Sequence, residues 1–264
     1  MENVYDKIKN AQRIVVKVGT STLTYETGKL NLNRMDRLAM ILSDLHNRGK
    51  EIILVSSGAI GVAVGKLGLS AKPTETRYKQ AVAAVGQCEL MFLYDKLFSE
   101  YNNTVAQILL TRDDVTGAKR KQNTRNTFNT LLEMGIIPIV NENDTISVEE
   151  IEFGDNDTLS AIVAEFVGAD LLVLFSDIDG FYDRDPHENP DARLIDMVND
   201  ISSVRSLAGG VGSNRGTGGM ITKLDAAEIA TGAGIDMVIT NGENIDGLYD
   251  ILDGKKVGTV FVAK

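Results

Sequence analysis

RIVVKVGTS, residues 13–21, sets four β-branched apolar residues around a lysine and closes on glycine and two hydroxyl side chains. A short run rich in Ile and Val that stops at such residues reads as a buried strand feeding a loop. Beyond the loop the period changes. Residues 33–47 carry a helical pattern, Gly49 is placed to stop it, and EIILVS (51–56) is a second strand. The same alternation continues along the chain. Residues 74–101 give one or two helices, followed by a strand at 104–110, a helix at 121–134 and a strand at 136–140. A helix at 157–167 has Leu159, Ile162, Val163 and Phe166 at i, i+3, i+4 and i+7. Strands at 171–175, 236–240 and 257–262 then alternate with helices near 200–208, 220–232 and 245–252. Strand-helix-strand alternation requires right-handed crossovers, so the expected fold is α/β: a three-layer αβα sandwich on a mainly parallel central sheet. No internal repeat or low-complexity linker interrupts the pattern, and DRDPHENPDARL (183–194) reads as a surface loop. One domain spanning residues 1–264 is therefore expected.

Composition removes several function classes. A formal charge of -10, spread without long blocks, disfavours nucleic acid or an acidic membrane as partner. No stretch approaches the ~20 apolar residues of a membrane span, and MENVYDKIKNAQ lacks the pattern of a secretory leader. A cytoplasmic protein is expected. One cysteine excludes an intramolecular disulfide, and two histidines with one cysteine cannot build a Cys/His metal cage. Cys88 falls in a long helical pattern, where a buried thiol is expected. No protein side chain is expected to hold a metal.

In an open parallel sheet, ligands bind beyond the carboxyl ends of the strands. Lysine, hydroxyl and carboxylate residues gather there: Lys17-Val18-Gly19-Thr20-Ser21, Ser56-Ser57-Gly58-Ala59, Asn141-Glu142-Asn143-Asp144 and Ser176-Asp177-Ile178-Asp179-Gly180. Lys17, inside an apolar run, either snorkels to water or meets an anion. Lys223 follows Gly216, Gly218 and Gly219 into the first turn of a helix, where the dipole disfavours a cation. Either that segment is a glycine hinge with a solvated lysine, or a bound anion reverses the local balance. Gly154-Asp155-Asn156-Asp157 opens another helix with more acceptors than one cap needs. Two carboxylates so close repel unless cations lie between them, and two unexplained lysines are available. Neither a Walker A loop nor a strand-linked GxGxxG with its acidic partner occurs, so a dinucleotide-dependent oxidoreductase lacks its fingerprint.

These stretches together resemble the amino acid kinase family. VVKVGTS, VSSGAIGVAVGKLG, AAVGQ, LLTRDD, IPIVNENDTI, FGDNDTLSA, FSDIDGFYDRDP, GTGGMITK, AGID and VGTVF occur in the family's order over essentially the whole chain. The branch most similar phosphorylates free glutamate. The resemblance implies transfer of the ATP γ-phosphoryl group, with Mg²⁺, to the side-chain carboxylate of L-glutamate, the first step of proline biosynthesis. It implies that Lys17 and Lys223 attend the phosphoryl group and that Asp157 holds them. Ser57, Asp144 and Asn156 match positions that grip glutamate, with Asp155 assisting. Ser176 and Asp177, with Thr217, Gly218, Gly219, Met220, Ile221, Thr222 and Lys223, match the ATP site. Serine stands at 56 and 176 where many members have threonine, and both changes keep the hydroxyl. Proline is the implied feedback inhibitor, and a homo-oligomer the implied assembly. Many members carry a carboxyl-terminal PUA domain of the RNA-binding type. This chain stops at Lys264, just past its last strand, so no PUA domain is expected. Two rival readings stay open: another kinase of this family acting on acetylglutamate, carbamate or uridylate, and a non-catalytic nucleotide sensor.

Overall fold

Arg13–Val18 forms β1, with Ile14 to Val18 all buried, preceded by helix α1, Val4–Asn10, which Asn3 caps through a bond from the Tyr5 N–H. The computed structural model describes residues 3–25, 28–146, 156–186, 188–209 and 219–264. It divides into two compact units, one made of Met1–Lys17 with Gly154–Lys264, the other of Val18–Phe153.

The second unit is continuous in sequence. After the short α2, Thr20–Leu23, helix α3 runs Leu32–Asn47, capped by Asn31, whose side chain accepts the Arg34 N–H. Strand β2, Glu51–Ser56, is buried from Ile52 onward. Helices α4, Ala59–Leu67, and α5, Thr76–Glu100, pack together. Then follow β3, Val105–Leu110; α6, Arg112–Thr116; α7, Ala118–Glu133; and β4, Ile137–Glu142. The strands lie in the order β3-β4-β2, with both pairs parallel. Helix α4 lies in a stretch with no helix expected, because AIGVAVGKL is a short apolar run with two glycines and no capping side chain. It is delimited instead by backbone: Gly58 at φ 107° starts it and Gly68 at φ 64° ends it, both left-handed conformations that favour glycine. The contact with α5 is closest at Gly86, where a Cβ would fall 1.7 Å from the Ala59 carbonyl oxygen. Cys88 corrects an expectation, being exposed. The inward face of α5 is taken by Val82, Ala83, Gly86, Gln87, Leu90, Tyr94 and Phe98, and residue 88 projects away from it.

The first unit joins α1 and β1 to the second half of the chain. Helix α8, Asn156–Val167, leads to β5, Leu171–Ser176, all six of whose residues are buried. A long excursion includes β6, Met197–Val198, and α9, Ile201–Val204, continued as a 3₁₀ turn. Then come α10, Met220–Gly232; β7, Asp236–Asn241; α11, Gly247–Leu252; and β8, Thr259–Phe261. The strand order is β1-β5-β7-β8-β6, with β5 and β7 parallel and β7 and β8 antiparallel. Asp170 fixes the entry to β1 by accepting the N–H groups of Gln12 and Arg13, each at 2.8 Å. Leu159, Val163 and Phe166 of α8 are buried, whereas Ile162 is half-buried. Helix α8 packs against α10 as well as β5, and this brings the first turns of two helices together.

Candidate active site

Three charged side chains meet inside the first unit. Lys17 comes from β1, Asp157 from the first turn of α8 and Lys223 from the first turn of α10. Lys17 Nζ lies 2.5 Å from Asp157 Oδ1, and Lys223 Nζ donates to Oδ2 at 3.0 Å. Asp157 is 0% exposed, Lys17 8% and Lys223 6%. Neither lysine therefore snorkels into water, and the solvated alternative fails for both. Burial pushes the Asp157 carboxyl upward, but the Lys17 and Lys223 ammonium groups more than offset this, so its pKa lies below the ordinary carboxylate range.

Each placement has a local cause. A carboxylate at the start of α8 is favoured by the helix dipole, while a lysine at the start of α10 is not. Asp157 reverses that local penalty by meeting the ammonium group directly. Ser160 Oγ donates to the Asp157 backbone carbonyl at 2.6 Å, tying down the turn that carries the carboxylate. Together the three groups carry net positive charge in a buried place, an arrangement suited to an anion that arrives as substrate.

The nearby strand ends add polar groups. Ser176, buried at the end of β5, donates through Oγ to Asp177 Oδ1 at 3.0 Å, and its carbonyl accepts the Gly242 N–H at 2.7 Å. Asp177 is exposed. Asn241, paired with Ser176 in the β5–β7 register, donates to Asp179 Oδ1 at 2.8 Å and accepts the Glu243 N–H. Sequence reasoning missed Asn241. Its signal was a polar residue one position beyond DMVIT, at the carboxyl end of a strand. Gly219 precedes α10 in an extended conformation and its carbonyl accepts Thr222 Oγ1 at 2.7 Å. Met220 is half-buried and Ile221 is 50% exposed. Asn156 is buried at the head of α8. Asp155, Thr217 and Gly218 lie outside the described residues.

In the second unit, Ser57 follows β2 and its N–H donates to the Val18 carbonyl at 3.0 Å. The preceding Ser56 is anchored by a 2.8 Å hydrogen bond with the buried Tyr94 hydroxyl. Burial pushes that tyrosine's pKa far above the phenol range, with the Ser56 bond opposing, so it stays neutral. Asp144, beyond the end of β4, helps line a small recess open to solvent, with a volume of about 10 Å³. Gln87 and Ala59 line it too, with Glu142, Asn143 and Thr145. Asn141 Nδ2 donates to Gln87 Oε1 at 2.9 Å, a buried amide pair unforeseen from the sequence. Its signal was a glutamine on the apolar face of α5.

This architecture, with two buried lysines held on one carboxylate, fits a phosphotransferase, and the chain belongs to the amino acid kinase family, whose profile matches residues 12–241. Among curated relatives, the glutamate 5-kinase of Clostridium perfringens (strain 13 / Type A) is 60% identical over 262 residues, covering 97% of this chain and 97% of that protein. The glutamate 5-kinase of Listeria innocua is 54% identical over 264 residues, covering 98% and 96%. Two solved structures share the fold at low identity. The UMP kinase of Bacillus anthracis gives a TM-score of 0.66 at 17% identity, covering 96% of each chain. The isopentenyl phosphate kinase of T. acidophilum gives 0.67 at 18%, covering 94% of this chain and 99% of that one. They bear out the α/β amino acid kinase fold expected from the strand and helix pattern. Among the described residues no helix is long and apolar enough to cross a membrane.

Proposed function

We propose that this chain phosphorylates the side-chain carboxylate of free L-glutamate with ATP, forming L-glutamyl 5-phosphate for proline biosynthesis. The observation that carries the chemistry is the Lys17–Asp157–Lys223 cluster, supported by the identity to glutamate 5-kinases over nearly the whole chain. In the reaction an oxygen of the substrate carboxylate bonds to the γ-phosphorus while the bond to the β–γ bridging oxygen breaks, and ADP leaves with that electron pair. No proton moves, because the nucleophile is already ionised. A general base is therefore unnecessary, and the absence of a histidine motif is consistent with this chemistry.

Two anions must approach one another, so catalysis is mainly charge neutralisation and in-line positioning. Lys17 and Lys223 are assigned to the phosphoryl oxygens, where negative charge builds in the transition state. Asp157 is assigned to fixing both ammonium groups before substrate arrives, so little reorganisation is needed during transfer. ATP enters as its Mg²⁺ complex, the cation travelling with the nucleotide phosphates. Ser176, Asp177 and the segment from Gly219 to Lys223 are assigned to the nucleotide, with Thr217 and Gly218. Ser57, Asp144, Asn156 and Asp155 are assigned to glutamate. Their acceptors favour a free ammonium group, which an acetylated substrate lacks.

Proline as feedback inhibitor, a homo-oligomeric assembly and a cytoplasmic location extend the same reading. A sensor of this fold has no need of Lys17, Lys223 and Asp157 in contact, whereas a phosphotransferase does. The test traps the acyl phosphate as a hydroxamate while comparing glutamate, acetylglutamate, aspartate and uridylate. Glutamate is expected to react well above the others. Reaction of acetylglutamate or uridylate without glutamate would assign the chain to another branch, and no reaction with any would favour the sensor.

A further inference from the structure

The buried amide pair in the second unit has a fixed polarity. Asn141 Oδ1 accepts the backbone N–H of Glu142 at 2.9 Å. A backbone N–H can only donate, so the atom facing it must be oxygen, and the opposite atom of the Asn141 amide must be Nδ2. That nitrogen donates to Gln87 at 2.9 Å, so the Gln87 atom it meets must be Oε1. The chain of assignments leaves Gln87 Nε2 as the outward group, a pure donor. Gln87 is 7% exposed and lines the recess beside Glu142, Asn143 and Asp144, and among the described residues its Nε2 has no hydrogen-bond acceptor. Serving Asn141 does not require this donor, since Oε1 alone does that, and Nε2 is left to water or to a ligand in the recess.

We propose that Gln87 is a specificity-determining residue that donates through Nε2 to the α-carboxylate of the amino acid substrate, a proposal resting on the glutamate kinase reading. The recess joins the acidic side chains of Glu142 and Asp144 to neutral amide donors, Gln87 and Asn143, of which Gln87 is the one held in place by a buried partner. The α-carbon of a free amino acid presents an ammonium and a carboxylate on adjacent bonds. Acidic residues alone accept the ammonium and repel the carboxylate. Gln87 supplies the complementary contact without adding a cation that would compete with the substrate's own ammonium group. The donor is carried by α5, whose register against α4 is set at the neighbouring Gly86 by its approach to the Ala59 carbonyl. Its position is therefore held by backbone packing as well as by Asn141.

The experiment measures initial rates at saturating Mg·ATP for the wild type, Gln87→Met and Gln87→Glu. Substrates are L-glutamate and 4-aminobutyrate, which keeps the reacting carboxylate but lacks the α-carboxylate. Gln87→Met is expected to raise the KM for glutamate roughly 10- to 100-fold, the effect of losing a hydrogen bond to a charged group. The kcat should change by less than about threefold, and the KM for ATP should not move. Gln87→Glu, nearly isosteric, is expected to raise the glutamate KM further, since it sets a second anion against the α-carboxylate. The kcat/KM for 4-aminobutyrate, or its inhibition constant if turnover is too slow, should stay within about threefold in Gln87→Met. Equal losses for both ligands would make Gln87 merely structural and overturn the proposal, as would an unchanged glutamate KM in both variants. Melting temperatures identify a variant that fails to fold, in which case the other decides. If wild-type enzyme does not phosphorylate glutamate, the functional reading itself fails; if it does and the variants match it, only the role of Gln87 fails.

Discussion

Lys17 Nζ stands 2.5 Å from Asp157 Oδ1, so a strand near the amino terminus and a helix from the second half of the chain share one buried ion pair. The other oxygen of the same carboxylate receives Lys223. Removing Asp157 therefore affects two cations at once. Asp157→Asn is expected to lower unfolding free energy by about 3–5 kcal/mol, the cost of stranding a buried charge. Urea denaturation checks this. Because phosphate anions replace the missing charge, millimolar ATP should restore more of the lost stability in the variant than it adds to the wild type.

Lys223→Ala is expected to reduce kcat by about 10²–10³-fold, the usual consequence of deleting one group that stabilises transition-state charge. Binding of glutamate should weaken far less, since the role proposed for the lysine is at the phosphoryl group. Steady-state kinetics with each substrate varied separate the two effects. An unchanged kcat would remove Lys223 from the chemistry.

The pH dependence follows from the direction of the Asp157 shift. Its folded-state pKa is depressed by the two lysines despite burial, so its stabilising contribution is complete above the unfolded value, about 3.9, and lost as pH falls through the folded one. The stability difference between wild type and Asp157→Asn should thus be flat from about pH 7 down to about pH 5 and shrink only below about pH 4. Denaturant midpoints measured across that range test it. A difference that already shrinks between pH 7 and 5 would mean the carboxylate is not held down by the lysines.

Gly86→Ala places a methyl group where the Ala59 carbonyl oxygen already is, 1.7 Å away. Both atoms belong to packed helices, so relief requires α4 to move. The expected loss is at least about 1–3 kcal/mol, the range for overpacking. Circular dichroism melts check the stability. Glutamate KM should rise as well, because α4 follows directly on Ser57 and Gly58.

Much of this was legible from residue types. Ile14, Val15 and Val16 announce a buried strand because β-branched chains suit a pleated surface, and Leu159, Val163 and Phe166 announce a helix by their spacing. Lys17, Asp157 and Lys223 were found as a group because isolated buried charges are too costly to leave unpaired. What escaped has physical reasons too. Periodicity carries no strand direction, so the antiparallel β8 was invisible in VGTVFV. Helix α4 is set by left-handed glycines rather than by capping side chains. Gln87 is neutral, and a neutral amide carries no charge imbalance to betray a partner.

The division of the chain has a consequence for how it is made. Lys17 belongs to a unit completed only by Gly154–Lys264, whereas Val18–Phe153 is one uninterrupted stretch. On the ribosome, the stretch from Val18 to Phe153 is whole before Asp157 or Lys223 has been synthesised. Domains form as units in the order they emerge, so β1 is among the first pieces made and among the last to find its ion pair. A nascent chain halted before α8 carries Lys17 with neither carboxylate nor companion lysine. The Lys17–Asp157–Lys223 cluster is thus a late event in the life of each molecule, closed by the return of the chain to its own beginning.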